Sequence, residues 1–310
     1  VSAVVLGLSL SRIGGSAECL PRSTDAVIRS TTLPRDEEDH LGPRDFRRLA
    51  EFINDYSGIK MPESKRTMLE GRLRRRLRAT GHETLGDYCR HLFVEDGLSD
   101  EAIFLIDAVT TNKTDFFREP SHFDFVAAKA LPELRKRGLN SIRAWSAACS
   151  VGAEPYTLAM VLADHAERHG PMSFFILATD LSTEVLQTAR RGIYPLSMLD
   201  PVPLEMRDRY VRASTGPKES RGRVVPELRS QVGFARLNLM DPRYPIGEPM
   251  HLIFCRNVLI YFDKPTQAKV LHRLCDHLVP GGFLFIGHSE SVTGLDLPVR
   301  TVSNTVFQRN

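Results

Sequence analysis

The chain of 310 residues has little with which to staple or anchor itself. Its five cysteines (Cys19, Cys89, Cys149, Cys255, Cys275) form no Cys-x-x-Cys pair and have no histidines at companion spacing. An odd number without a framework excludes a disulfide scaffold, argues against a zinc site and suits reduced thiols in a cytoplasm. Long apolar runs are missing too. Ala3 to Leu10 is too short to span a bilayer and has no basic residue before it, so neither a secretion signal nor membrane insertion is expected. Charge of one sign is also scarce, since 41 Lys and Arg face 38 Asp and Glu for a net +3. No internal repeat is visible. What is present, 42% hydrophobic and 25% charged residues, is the composition of a globular protein with room for two domains.

Residues 1–40 mix Gly, Ser and Pro with the acidic cluster Asp36, Glu37, Glu38 and Asp39, without sustained periodicity. They read as a disordered extension. From Pro43 the pattern turns helical. Phe46, Leu49, Ala50 and Ile53 follow the spacing of one helix face, and Gly58 ends it. Further helices are expected at Ser64–Ala79, at Thr84–Phe93 and at Ser99–Val109, the last capped by Ser99 with Phe104, Leu105 and Ala108 facing inward. Residues 41–115 therefore read as an all-α domain, and 116–140 as a linker with a connecting helix over Ser121–Arg137 that contains Pro132.

Over 141–310 the grammar changes to short apolar runs alternating with amphipathic helices. Strands are expected at Ser141–Ala147, Ser173–Thr179, His251–Cys255, Phe283–Gly287 and Thr301–Arg309, the last suited to closing the sheet antiparallel. This is the pattern of a doubly wound α/β domain, whose ligand sits outside the carboxyl ends of its strands. The first strand runs into Ala148-Cys-Ser-Val-Gly-Ala-Glu-Pro155. Small residues there let a ligand approach the backbone, and Pro155 suits a first helical turn. The loop is neither GxGxxG nor GxxxxGK[ST], which disfavours a pyrophosphate-binding Rossmann loop and an NTPase loop. The second strand ends at Asp180, placed either to accept hydrogen bonds from two ribose hydroxyls or, with Ser182, to cap the next helix. Pro280-Gly281-Gly282 reads as a structural corner.

Five ordered segments resemble the motif set of CheR-type chemotaxis receptor methyltransferases: Asn112-Lys-Thr-Asp-Phe-Phe-Arg-Glu119, Trp145 to Tyr156, Ala178-Thr-Asp180, Phe254 to Phe262 and Gly287-His-Ser-Glu-Ser291. The similarity runs from about Pro43 to Arg309. It implies a class I, Rossmann-like methyltransferase domain with a small inserted β-subdomain at 210–234, behind an all-α N-terminal domain. It also implies that S-adenosylmethionine is used, with S-adenosylhomocysteine as product, to esterify glutamate side chains of methyl-accepting chemotaxis proteins. By position, cofactor contacts would come from Asn112, Thr114, Arg118, Glu154, Asp180, Asn238, Leu239, Arg256 and Asn257. Arg118 and Tyr261 resemble the residues nearest the transferred methyl. The family usually shows two adjacent glutamates before its Pro-Tyr pair; here Ala153 replaces the first, and Glu154 is taken as the retained ligand.

Alone, Arg118 could equally form a surface pair with Glu119, and Tyr261 could be a core aromatic beside Phe262. His288, Ser289 and Glu290 are adjacent on an extended segment, point to alternate faces and cannot form a hydrolase triad, so a structural or site-lining role is expected. No metal site and no nucleophilic cysteine are expected. Residues 60–82 hold eight Lys and Arg against Glu63 and Glu70, with Leu69, Leu73 and Leu77 on one narrow face. The basic face, with Arg72, Arg75, Arg76 and Arg78, is either merely solvated or a docking surface for a glutamate-rich receptor helix bundle. Nucleic acid is not the expected partner, because no aromatic-stacking motif accompanies the arginines. Gly216, Pro217 and Gly222 suit hairpin turns beside a strand at Val224 and Val225, where some family members add a receptor's C-terminal peptide as an extra strand. A cytoplasmic monomer is expected. A methyltransferase acting on RNA or another protein, and a non-catalytic S-adenosylmethionine sensor, are the alternatives.

Overall fold

The computed structural model describes residues 39–213 and 220–310. The expected extension, but for its last two residues, and the turn residues Gly216 and Pro217 lie outside them. The first four helices are α1 (Pro43–Ser57), α2 (Arg66–Thr80), α3 (Leu85–Val94) and α4 (Leu98–Val109). Leu49, Ile53, Leu69, Leu73, Tyr88 and Leu105 from all four are fully buried in one core. The α2 leucine stripe is thus used as its spacing predicts. Thr84 caps α3 by accepting from the Asp87 N–H at 3.0 Å. The expected Ser99 cap does not form: α4 starts after Gly97, which leaves Ser99 inside the first turn. The Gly97 carbonyl accepts from Glu101 N at 3.0 Å and opens the helix there, and a Cβ added at 97 would lie 2.4 Å from the partly exposed His91 ring, which would have to move. Phe104 is exposed rather than inward, and the Arg76 guanidinium lies over its ring at 4.6 Å.

The connecting segment is one continuous rod, helical over α5 (Pro120–Phe125), widened to a π turn over Val126–Ala130 and helical again over α6 (Leu131–Lys136). The wider turn accommodates Pro132, which has no N–H to donate and would crowd a regular preceding turn.

Two sheets follow. In chain order the strands are β1 (Ser141–Ala147), β2 (Ser173–Asp180), β3 (Ile193–Pro195), β4 (Val211–Ala213), β5 (Arg221–Val224), β6 (Val232–Arg236), β7 (Met250–Cys255), β8 (Leu278–Ile286), β9 (Val299–Ser303) and β10 (Val306–Arg309). The main sheet runs β6-β2-β1-β7-β8-β10-β9, parallel from β6 to β8 and antiparallel where β10 joins β8 and β9. Side chains alternate between its faces. Ile142, Leu252, Phe254 and Phe285 enter the core on one side; Trp145, Ile253, Leu284 and Ile286 enter the core on the other. On the first side packs α7 (Ala153–His169), and α8 (Thr183–Arg191) follows β2.

Three details differ from the sequence reading. The small sheet, ordered β3-β5-β4, begins at Ile193 and ends at Val224 rather than spanning 210–234, while Val232–Arg236 pairs with β2 in the main sheet. Val225 leaves the strand because it precedes Pro226, which opens a short helix. Pro280-Gly281-Gly282 is no free corner: β8 runs through it, and a register shift against Met250 and Leu252 absorbs the irregularity.

The helical layer is bolted over the strand tips. Asp107 of α4 accepts from Thr183 N at 2.9 Å and Thr183 Oγ1 at 2.6 Å. Asn238 Nδ2 donates to the Tyr56 carbonyl at 2.6 Å, and Arg236 Nη2 to the Tyr56 hydroxyl at 2.6 Å. Gly58 ends α1 with φ 73° where a Cβ would meet Phe262 and Met240 at 2.7 and 2.8 Å. Gly58→Ala therefore combines left-handed strain with a clash, and is expected to cost about 1–3 kcal/mol. A thermal melt should show the midpoint falling by several degrees; an unchanged midpoint would mean that α1 does not press on the sheet domain.

Candidate active site

At the carboxyl ends of β1, β2 and β7 lies a cavity with about 970 Å³ of space between its walls, mouth included. All ten residues expected to bind cofactor or act on the methyl line it: Asn112, Thr114, Arg118, Glu154, Asp180, Asn238, Leu239, Arg256, Asn257 and Tyr261. Ser57 and Ile59 from the end of α1 and Thr110 to Asp115 after α4 complete the wall, so the helical domain roofs the site.

Arg256 organises the floor. Its side chain is 1% exposed, with Nη2 3.0 Å from Glu119 Oε2 and Nη1 3.3 Å from Glu154 Oε2. It also donates to the Arg118 carbonyl and lies over the Phe123 ring at 5.4 Å. Glu119 Oε1 in turn accepts from Asn257 Nδ2 at 3.1 Å and the His288 N–H at 3.2 Å. Burial works against the Glu119 charge, but the Asn257 hydrogen bond and the Arg256 guanidinium outweigh it and hold the carboxyl below its usual range. At Glu154 desolvation wins and pushes the carboxyl up, despite Arg256 and a 2.6 Å hydrogen bond from Ser146 Oγ.

Asp180 resolves the choice left open between ligand and cap. Ser182 is the cap, accepting from Val185 N. Asp180 instead holds the loop after β1, with Oδ2 accepting from Ser150 N at 2.8 Å and Oδ1 from Ser182 N at 2.9 Å. The Leu181 N–H adds a third backbone hydrogen bond, and the carboxylate still borders the cavity. Burial pushes this carboxyl up, opposed by those backbone N–H groups. The Asn238 side chain donates to the Tyr56 carbonyl and accepts from Met240 N, and its main-chain carbonyl accepts from Asp241 N, so the residue is fixed where it borders the cavity.

Positive φ angles at non-glycine residues gather here: Phe117 at 52°, Glu119 at 57°, Ala148 at 71°, Ser150 at 52° and Asn257 at 59°. Such conformations persist only where surroundings over-determine them. At Asn257 the determinant is Glu290, a buried carboxylate that accepts from Gly287 N, Asn257 N and Leu259 N at 2.6, 3.0 and 2.7 Å. Arg118 is not paired with Glu119. Its Nη1 donates to the Lys113 carbonyl at 3.1 Å, and among the described residues no carboxylate pairs with it. Tyr261 packs against the second core cluster and also lines the cavity.

Residues 44–110 match the all-alpha domain of CheR methyltransferases, and residues 112–307 match the CheR methyltransferase SAM binding domain. The chain belongs to the CheR methyltransferase family. It is 39% identical over 288 residues to chemotaxis protein methyltransferase 2 of Pseudomonas aeruginosa, covering 93% of this chain and 99% of the relative. It is 42% identical over 267 residues to the chemotaxis protein methyltransferase of Salmonella typhimurium, covering 86% and 90% respectively. The Escherichia coli chemotaxis protein methyltransferase is 40% identical over 278 residues, covering 90% and 95%. This CheR chain is thus an S-adenosylmethionine-dependent methyltransferase.

The donor set fits that cofactor. A buried carboxylate bordering the cavity suits a ribose diol, and Leu181, Leu237, Leu239 and Phe262 offer an apolar wall for a base.

The docking arginines divide. Arg75 and Arg78 are exposed and make no ion pair among the described residues. Arg72 and Arg76 are spent inside the fold, which the sequence reading did not foresee: the helical wheel turns both toward α4. Arg72 donates to the carbonyls of Val109 and Thr110 and to Thr111 Oγ1. Arg76 pairs with buried Glu101 at 2.6 Å, and Tyr88 donates to the same carboxylate. Sequence reasoning also missed Glu119 and Ser146 as positioning groups and left Glu290 without a stated partner; buried acids beside motif arginines were the available signal.

Arg256→Ala leaves Glu119 and Glu154 without their shared cation and should lose about 3–5 kcal/mol, read from the urea midpoint at unchanged slope. Burial, with Arg256 nearby, also lowers the His122 pKa from 6.5 to about 4. The folded state keeps this ring neutral while the unfolded chain binds a proton near pH 6.5, so its stability contribution is full above that pH and shrinks toward pH 4. Urea titrations across this window should show a shallower loss in His122→Asn; an identical slope in both proteins would remove His122 as the cause.

Proposed function

We propose that this protein transfers the methyl group of S-adenosylmethionine to glutamate side-chain carboxylates of bacterial chemoreceptors, forming methyl esters in the cytoplasm as a monomer. The observation that carries the reading is the half-buried Arg118 guanidinium, without a carboxylate partner among the described residues, on the wall of a cavity in a CheR fold.

S-adenosylmethionine, when bound, supplies an activated methyl with a neutral leaving group. A glutamate side chain with a pKa of about 4.3 is already the nucleophilic anion at neutral pH, so no general base is required. The work of the protein is then positioning and drying. Arg118 holds the incoming carboxylate by charge-assisted hydrogen bonds. Its backbone is fixed from behind, because Arg256 donates to its carbonyl. Tyr261 presents a hydroxyl on the same wall and orients the acceptor. Asp180, Glu154 and the turn Ala148 to Ser150 hold the cofactor. The α1 end and the 110–115 segment keep water out. Ordering two reactants in this way supplies roughly 7–11 kcal/mol in favourable cases.

Arg75 and Arg78 form the docking surface for the acidic receptor bundle. The small sheet has β3 and β4 as its edges, and a receptor C-terminal peptide would add there as a further strand.

With labelled cofactor and chemoreceptor, the wild type should give base-labile label on the receptor, the mark of a carboxyl ester. Arg118→Ala should lose most turnover while keeping its melting temperature. Full turnover in that variant would sink Arg118; label only on RNA, or cofactor binding without transfer, would sink the acceptor.

A further inference from the structure

Behind Arg256, away from the docking surface, three side chains meet that the methyl transfer does not use as a set. One donor atom each from Glu119, His122 and His288 lies within 4.8 Å of the others. His122 is 1% exposed, yet its Nδ1 has no hydrogen-bond partner. That nitrogen lies 3.6 Å from Glu119 Oε2. The opposite nitrogen, Nε2, is occupied at 2.8 Å by Thr305 Oγ1. The Thr305 hydroxyl donates to the Asn304 carbonyl at 2.8 Å, so it accepts from Nε2–H and leaves the Nδ1 lone pair facing the cluster.

The surroundings hold the other two donors. Glu119 Oε1 is fixed by Asn257 Nδ2 and the His288 N–H, which turns Oε2 toward the rings. The His288 ring lies 4.9 Å from that of His122, edge to face, and Ser121 Oγ is 3.3 Å from its Nε2. Hydroxyls beside ligating imidazoles steady ring orientation. The His288 side chain is exposed, so the cluster has an entrance from solvent.

We propose that Glu119, His122 and His288 form a binding site for a transition-metal ion of the zinc class, with solvent completing its shell. Two imidazoles and one carboxylate suit zinc, cobalt or nickel rather than calcium or magnesium, which take oxygen ligands. Ligands 2.0–2.1 Å from such an ion sit about 3.3 Å apart, so the exposed His288 ring swings inward to close the site. Oε2 of Glu119 accepts from Arg256 Nη2 at 3.0 Å and from Arg256 Nε at 3.3 Å, and an ion takes the place of the longer of these two bonds. An ion there draws charge from the carboxylate that anchors Arg256 and loosens its hold on the Arg118 carbonyl. Occupancy therefore slows methyl transfer, a consequence that rests on the methyltransferase reading.

The test uses the whole protein and His288→Ala, which keeps the backbone N–H that Glu119 needs. Calorimetry with zinc should show one ion per wild-type chain with sub-millimolar affinity, and a loss of about tenfold or more in the variant. Cobalt should give a visible absorption spectrum without a thiolate charge-transfer band. Saturating zinc should lower turnover in the wild type and spare the variant. Equal zinc affinity in both proteins, no binding below about 1 mM, or a thiolate band would overturn the site. Binding with unchanged wild-type turnover would overturn the coupling. Absence of methyl transfer in metal-free protein would strike the acceptor reading instead and leave the binding result standing.

Discussion

One buried guanidinium governs the geometry of this molecule's cavity. Arg256 leaves β7 at the centre of the sheet and meets Glu119 from the linker, Glu154 from α7 and the main-chain carbonyl of Arg118. Removing such a charge from water is expensive, and the two carboxylates with aromatic faces at Phe123 and Phe254 offset that cost more than they add stability. What the arrangement secures is position. Three chain segments distant in sequence are held at one point, and the residue placed to handle the acceptor, Arg118, is fixed through its backbone while its side chain stays available.

The second constraint comes from above. A doubly wound sheet leaves its ligand crevice open to solvent at the strand tips. Here the crevice is covered by the end of α1 and the segment after α4, tied down through Tyr56, Asn238, Asp107 and Thr183. Arg72 joins the basic helix to the same cover by gripping Val109, Thr110 and Thr111. The helix carrying the exposed arginines and the wall of the cavity are therefore one mechanical piece.

Much of this was legible from residue order. The α1 and α2 stripes and the alternation of strands and helices follow from periodicity, while the ten residues that gather around one cavity were implied by the family resemblance. What escaped the sequence had particular causes. α4 begins at the Gly97 carbonyl, two residues ahead of the serine whose side chain marks an N-cap by residue type. The strand Val232–Arg236 is too short and too mixed to announce itself, and becomes a strand by pairing with β2. A helical wheel shows which arginines face away from the leucines, but not that α4 offers carbonyls and Glu101 to two of them. The partners Glu119 and His288 lie 169 positions apart, and only the folded chain brings them together.

The close approach at Gly58 has a consequence for how such a chain can change over generations. The helical and sheet domains touch there through a space that Phe262 and Met240 fill completely. A larger residue at 58 loads strain onto both domains at once, and a change at Phe262 or Met240 alters the room available to it, so substitutions at these three positions are coupled across the domain boundary.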